Sequence, residues 1–399
     1  MMECEGTMHL SCTYCREDAE MDEKRLQSIM DHAVETGELA GCSLLLIKDR
    51  TPVCYLESGL ADRENHIPVR RDTIFRLYSQ SKPITSAAVM YLIEQGKLDL
   101  MDEVRTFLPG FASQSVAEQD GLKPVMRPVR ISDLLSMTSG LVYPEADASG
   151  RAMGELFEEN RQRMDRDQGM DTLEFANRMG NCPLAFQTGQ MFRYGVSADV
   201  LGAVVEVVSG KRFGDFLREV FFEPLGMKDT AFYVPEEKMH RLCRCYQRTP
   251  DGLKEYHVDH LCVRDTVKNP PFESGGAGLF STLDDYAAFA GMLLGGGTYE
   301  GKRILSPGTV DFMTRPQVDE TGWDNLTGFG YGKLMRICTD PGKAVSISRE
   351  GEYGWDGWLG TYFANFPKEN MTLLVYQNTK DTGTGPMVRK LRNCLLSGL

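Results

Sequence analysis

Long apolar runs are missing from this 399-residue chain. None approaches the ~18 consecutive apolar residues that a membrane-spanning helix requires, so no membrane partner is expected. Basic charge is also short. Lys and Arg number 44 against 57 Asp and Glu, a net charge of −13, which excludes the basic surface that nucleic-acid binding needs. Only six histidines are present, and none falls in an H-E-x-x-H or H-x-x-x-H spacing. Eleven cysteines are scattered and odd in number, unlike the framework of a small secreted domain. Cys12 and Cys15 make a lone C-x-x-C near Cys4, and Cys243 and Cys245 a C-x-C. Neither has the four ligands of a zinc site. His257 and His260 lack a third ligand and read as surface residues. No metal and no cofactor is expected. The N-terminal MMECEGTMHLSCTYCREDAE has neither the basic region nor the apolar stretch of a secretory signal, so a cytoplasmic location is expected.

Several enzyme signatures are missing as well. There is no G-x-S-x-G nucleophile elbow and no G-x-x-x-x-G-K-[ST] phosphate loop. What is present is an ordinary globular composition, 42% apolar and 25% charged, with periodic segments. Residues 1–21 read as a loose extension. Helical spacing marks Asp22–Thr36, Ser79–Gln95, Ile131–Met137, Ser197–Val208, Phe213–Phe222, Leu283–Leu294, Pro307–Met313 and Pro386–Leu396. Strand patterns cover Cys42–Lys48, Val53–Leu60, Gly332–Ile337, Ala344–Ser348, Trp358–Phe363 and Thr372–Tyr376. The polar stretch 144–170 reads as an insertion or lid, with Met153, Met164 and Met170 available to cover an entrance. The order predicts an α/β plus all-α fold, an antiparallel sheet flanked by terminal helices with a large helical insertion. Strands from the two ends of the chain must then pair. Residues 22–75 and 276–399 would form the sheet domain and 76–275 the helical one, with a cleft between them.

Three elements carry chemistry. Ser79-Gln80-Ser81-Lys82 is the one S-x-x-K in the chain, at a predicted helix start. Three-residue spacing puts Ser79 and Lys82 on one helical face, and burial can depress a lysine until it accepts a serine proton. Tyr194 lies just before a helix, where its hydroxyl could share proton transfer. Gly354–Thr361 contains Trp355, Asp356, Gly357 and Trp358. Small residues there permit close approach of a ligand, and an unpaired strand N–H could serve an oxyanion. Tyr376-Gln377-Asn378 ends an apolar strand and reads as packing.

The phrases FRLYSQSKPIT, ISDLLSMTSGL, FRYGVSADVLGAVVE, EPLGMKDTAF, GGAGLFSTLDDYAAF and EYGWDGWLGTYF resemble the serine β-lactamase and penicillin-binding-protein-like superfamily. They are most similar to its class C branch and the related family VIII carboxylesterases. The resemblance spans roughly residues 22–396. It implies that Ser79 is the acylated nucleophile, Lys82 its proton acceptor and Tyr194 the first residue of the Y-x-N motif. Gly195 and Val196 complete that motif without its Asn. Trp355-Asp356-Gly357 stands in the K-T-G place, and the oxyanion donors would be the N–H groups of Ser79 and Trp358. Loss of the K-T-G lysine and the Y-x-N asparagine favours a carboxylesterase acting on uncharged or apolar, small or medium acyl esters rather than on penicillins or cell-wall peptides. An acyltransferase, a β-lactamase or a D-amino-acid peptidase of the same superfamily remain the alternatives.

Overall fold

The computed structural model describes residues 13–264 and 268–398. Cys4 and Cys12, and with them the C-x-x-C, lie outside the described residues.

The first helix, α1, covers Thr13–Glu35, so helical backbone starts inside the stretch expected to be loose. Strands β1 (Gly41–Lys48) and β2 (Thr51–Asp62) follow. They meet at Asp49-Arg50, both left-handed, with φ of 50° and 64°. A two-residue strand, β3 (Ile67–Pro68), lies beside β2. Near the C-terminus come β4 (Phe329–Tyr331), β5 (Arg336–Cys338), β6 (Tyr353–Asp356), β7 (Tyr362–Phe366) and β8 (Met371–Gln377). The eight form one antiparallel sheet in the order β4-β5-β6-β7-β8-β1-β2-β3. The required pairing of the chain's two ends is the β1–β8 contact, in register from Cys42 opposite Gln377 to Lys48 opposite Met371. Leu44, Leu46, Leu373 and Val375 point to one face, which α1 and the terminal helix Pro386–Ser397 cover, while Leu45 and Leu374 point to the other. Both faces are buried, and a one-residue slip would turn every one of these side chains to the opposite core.

The helical region contains α2 (Lys82–Glu94), α3 (Ala148–Met164), α4 (Thr172–Gly180) and α5 (Ser197–Ser209). Helix α6 (Leu283–Leu294) returns to the sheet, and the terminal helix is α7. Helix α5 ends at Gly210 in the left-handed region expected of a glycine stop.

Some expectations are corrected. Ala344–Ser348 forms no strand; its residues are alternately exposed and have no sheet partner, and the strand lies later, at Tyr353–Asp356. Gly332–Met335 is a turn between β4 and β5, and Trp358–Gly360 a turn before β7. Ser197 does not cap α5. It is the helix's first residue, and its hydroxyl pairs with that of Ser139 at 2.9 Å. Residues 144–170, expected as an insertion or lid, are built into the core on one side and line the cleft on the other. They hold α3, started by the Asp147 carboxylate accepting from the Gly150 N–H at 2.7 Å, and Met153, Leu156 and Phe157 bury its inner face. Met153 and Met170 are core residues.

Candidate active site

The segment before the serine is clamped from two sides. Phe75–Arg76 pairs with Phe280–Ser281, and the Leu77 carbonyl accepts from the Thr361 hydroxyl at 3.0 Å. Gly357 lies so close that a Cβ there would stand 2.2 Å from the Leu77 carbonyl oxygen. The small residue therefore admits the chain that carries the serine, not a ligand. A tight turn, Tyr78–Ser81, precedes α2. Tyr78 is fully buried with φ of 46°, a strained conformation for an aromatic residue. Between Ile74 and Met90 only Ser79 is not fully buried, so this turn presents one side chain to solvent. The positive end of α2 lies behind it.

Lys82 is 0% exposed. Its Nζ reaches the Ser79 Oγ at 3.1 Å, the Tyr143 hydroxyl at 3.0 Å and the Gly276 carbonyl at 2.8 Å. Burial lowers its pKa to about 7, against the opposing pull of the Asp199 carboxylate. A neutral amine is thus available near neutral pH, beside the hydroxyl it would deprotonate. The Gly276 residue is held through its N–H by Asp199, near the start of α5. The Asp199 Oδ1 accepts from the Ser274 hydroxyl at 2.5 Å and from the Gly276 N–H at 3.1 Å. Thr85 secures the neighbouring carbonyl of Gly275 at 2.6 Å. A Cβ on Gly276 would meet the Asp199 Oδ2 at 2.9 Å, so the glycine bend at 275–278 is needed for this contact.

Tyr194 sits over Lys82, whose Nζ is 4.6 Å from the ring centre. Burial raises the tyrosine's pKa, against hydrogen bonds to Ser79 and Trp355 that pull it down. It remains a neutral hydroxyl at physiological pH. The Trp355 indole N–H donates to the Tyr194 oxygen at 3.0 Å. The sequence-predicted Ser79, Lys82, Tyr194 and Trp355 are therefore brought into one cluster. Asp356, Gly357 and Trp358 line the same opening. β6 is an interior strand rather than an edge, but β5 pairs only with Tyr353 and Gly354, leaving Trp355 and Asp356 without a neighbour on that side. Asp356 contacts the buried Arg336 at 3.1 Å, and burial raises its pKa while Arg336 opposes this. Val196 is fully buried in the helical core, so the missing Asn leaves an apolar packing residue.

Tyr143 is a site residue that sequence reasoning misses. Its hydroxyl is Lys82's third polar partner, its ring meets Tyr194 edge-on at 5.7 Å, and burial raises its pKa well above the usual value. The signal in the sequence is an aromatic residue just after SMTSGL, but nothing local ties it to a lysine 61 residues away. His260 is exposed, as expected, but it also lines the cleft, its ring centre 4.2 Å from that of Trp358, and desolvation there lowers its pKa. Tyr376 is packing, as expected, and its hydroxyl accepts from Gln80 at 3.1 Å.

Two chambers meet at Ser79. The wider, about 410 Å³, runs between Tyr143, Phe157, Leu261 and Trp358. The narrower, about 220 Å³, runs along Trp355 toward Trp323 and Asp381. Among the described residues no cluster of His, Cys, Asp or Glu is arranged to hold a metal, and no helix is long and apolar enough to cross a membrane.

The beta-lactamase family model matches residues 26–394. The chain belongs to the beta-lactamase family. Among its relatives, Protein Rv1367c of Mycobacterium tuberculosis is 31% identical over 363 residues, 87% of this chain and 88% of that one. Esterase EstB of Burkholderia gladioli is 29% identical over 391 residues, covering 93% and 94%. Among solved structures, EstCE1, described as a hydrolase with promiscuous acyltransferase activity, superposes with a TM-score of 0.80 at 26% identity. That match covers 96% of this chain and all of the other. The sheet with its helical insertion is thus the family's architecture along nearly the whole chain.

Proposed function

We propose that this member of the family is a serine esterase working through an acyl-enzyme on Ser79. The observation that carries the reading is the fully buried Lys82 amine, 3.1 Å from the Ser79 hydroxyl, with its pKa lowered to about 7. The likeness to esterase EstB supports the same chemistry. Ser79 Oγ bonds to the ester carbonyl carbon and its proton passes to Lys82. The oxyanion is met by the backbone N–H groups of Ser79 and Trp358. The bond to the alcohol oxygen then breaks, and that oxygen takes the Tyr194 proton, which the Lys82 ammonium replaces. Water repeats the sequence on the acyl-enzyme, releasing the acid and restoring Ser79. Tyr143 holds the amine in line.

The acyl chain fits the wider chamber, where Tyr78, Tyr143, Phe157 and Trp358 supply apolar surface beside the charged Glu158, Arg161 and Asp259. Among the described residues no lysine or arginine lines the narrower one, so a carboxylate-bearing β-lactam finds no cation there, and esters without an anionic group are favoured. A fluorophosphonate probe followed by intact mass and peptide mapping tests the assignment. One adduct on Ser79, absent in Ser79→Ala, is the expected result, and labelling that survives the substitution overturns it. Wild-type kcat/KM should be far higher for p-nitrophenyl butyrate than for nitrocefin; the reverse order would favour a β-lactamase instead. Transfer to an added alcohol is the second reading, motivated by EstCE1. Ester product formed in the presence of a small alcohol would establish it.

A further inference from the structure

The chain holds only three tryptophans, and all of them line the narrower chamber beside Ser79. Trp323 and Trp355 lie 6.4 Å apart at 31°, and Tyr194 closes the corner at 5.2 Å from Trp323 and 5.5 Å from Trp355. Trp358 lines this chamber as well as the wider one. Two carboxylates complete the lining. Asp356 is matched by the buried Arg336 behind it. Asp381 is exposed at the mouth and accepts the Trp358 indole N–H at 2.6 Å. Among the described residues no cationic side chain lines the space. Aromatic faces joined to a carboxylate attract a cation that is too poorly hydrated to prefer water. The Trp358 ring already shows this behaviour on its own: Lys380 Nζ stands 5.7 Å from its centre, outside the chamber. The net charge of −13 draws cations toward the molecule as a whole.

We infer that the narrower chamber is an aromatic cage for a quaternary or tertiary ammonium group carried on the alcohol side of the substrate, as in a choline ester. The inference rests on the esterase reading for its orientation. The Tyr194 hydroxyl, the proton donor to the departing oxygen, is bonded to Trp355 on this chamber's wall, so the alcohol leaves into the cage while the acyl chain occupies the wider cleft. The volume of about 220 Å³ suits a trimethylammonioethyl group.

Because the three tryptophans surround the cage, intrinsic fluorescence reports its occupancy without turnover. Choline and its uncharged isostere 3,3-dimethylbutan-1-ol are titrated into the intact protein at low salt. Choline is expected to bind about tenfold tighter, and the preference should shrink in Trp323→Ala and in Asp381→Asn. Equal affinity, or preference for the neutral alcohol, overturns the cage. The matching kinetic pair is butyrylcholine and 3,3-dimethylbutyl butyrate, with kcat/KM expected to favour the cationic ester by a similar factor. If choline is discriminated but neither ester is hydrolysed, the cage stands and the esterase reading fails. If both esters are hydrolysed equally well, the esterase reading stands and the cage fails.

Discussion

Lys82 has no carboxylate within hydrogen-bond reach; a hydroxyl, a phenol and a carbonyl surround its amine. The negative charge that acts on it is Asp199, through the Gly276 peptide. The other titratable groups facing it are the neutral phenols of Tyr143 and Tyr194. Asp199→Asn keeps an acceptor for Ser274 and Gly276 but removes the charge. The ammonium is then less stable, so the acid limb of the Ser79 labelling rate, expected near pH 7 in the wild type, should move to lower pH. Labelling above the limb should slow about tenfold, because the transition state builds positive charge on Lys82. An unmoved limb would show that Asp199 acts only in packing. Lys82→Met tests the burial itself. The folded protein holds this amine below its unfolded pKa, so between about pH 7 and ~10.4 the unfolded chain binds more protons and wild-type stability rises with pH. The variant lacks that slope. Its Tm relative to wild type should be highest near pH 6 and fall toward pH 10, while activity is lost at every pH. A constant Tm difference would refute the depressed pKa.

At the level of single elements, α3 shows where polar composition misleads. Its charged residues dominate the composition, with Arg161 paired to Glu158 at 2.6 Å where both line the wider chamber. The buried residues Met153, Leu156, Phe157 and Asn160 recur at helical spacing, a pattern that 144–170 does contain. Gly154 and Phe157 turn toward the wider chamber, where a Cβ on Gly154 would sit 3.6 Å from Pro144. Gly154→Leu should leave the helix intact, since a glycine interior costs it ~1 kcal/mol against better helix formers. It should fill the space that takes a long acyl chain. The ratio of kcat/KM for p-nitrophenyl octanoate to acetate is expected to fall about tenfold; an unchanged ratio would place the acyl chain elsewhere. By contrast, S-x-x-K is legible because its geometry is local: three residues on one turn fix Ser79 against Lys82. Tyr143, His260 and Asp199 are not, because each owes its place to packing across more than 60 residues. Val196 belongs with them, since its burial in the helical core, rather than at the cleft, is also set by distant neighbours.

Across the whole molecule, the sheet's pairing of its two ends is readable from two apolar strand patterns near the chain's extremes, whereas the strand at Tyr353–Asp356 is hidden by its glycine and its turn-like Asp-Gly. One buried ion pair ties the last helix to the sheet. Arg392 meets Glu352 at 2.5 Å, both nearly inaccessible, and also bonds the Tyr362 hydroxyl and Ser348. Glu352→Gln leaves the guanidinium uncompensated and should cost about 3 kcal/mol of stability, read by urea unfolding. Ser79 labelling at 25 °C should stay near wild type, because the pair lies on the far side of the sheet from the cleft. A change of under ~0.5 kcal/mol would mean that solvent reaches the pair.

The β1–β8 contact also has a consequence for biosynthesis. A chain that has left the ribosome only as far as α5 already carries Ser79, Lys82 and Tyr194. It lacks Gly276, whose carbonyl orients the lysine, and the turn at Trp358. β1 pairs at once with β2 but must wait for its second partner, β8, more than 300 residues downstream, a long-range closure of the kind that slows folding. On the proposed mechanism the nucleophile is therefore made early and armed last: Ser79 gains its oriented lysine and its second oxyanion donor only once the chain through Trp358 is in place.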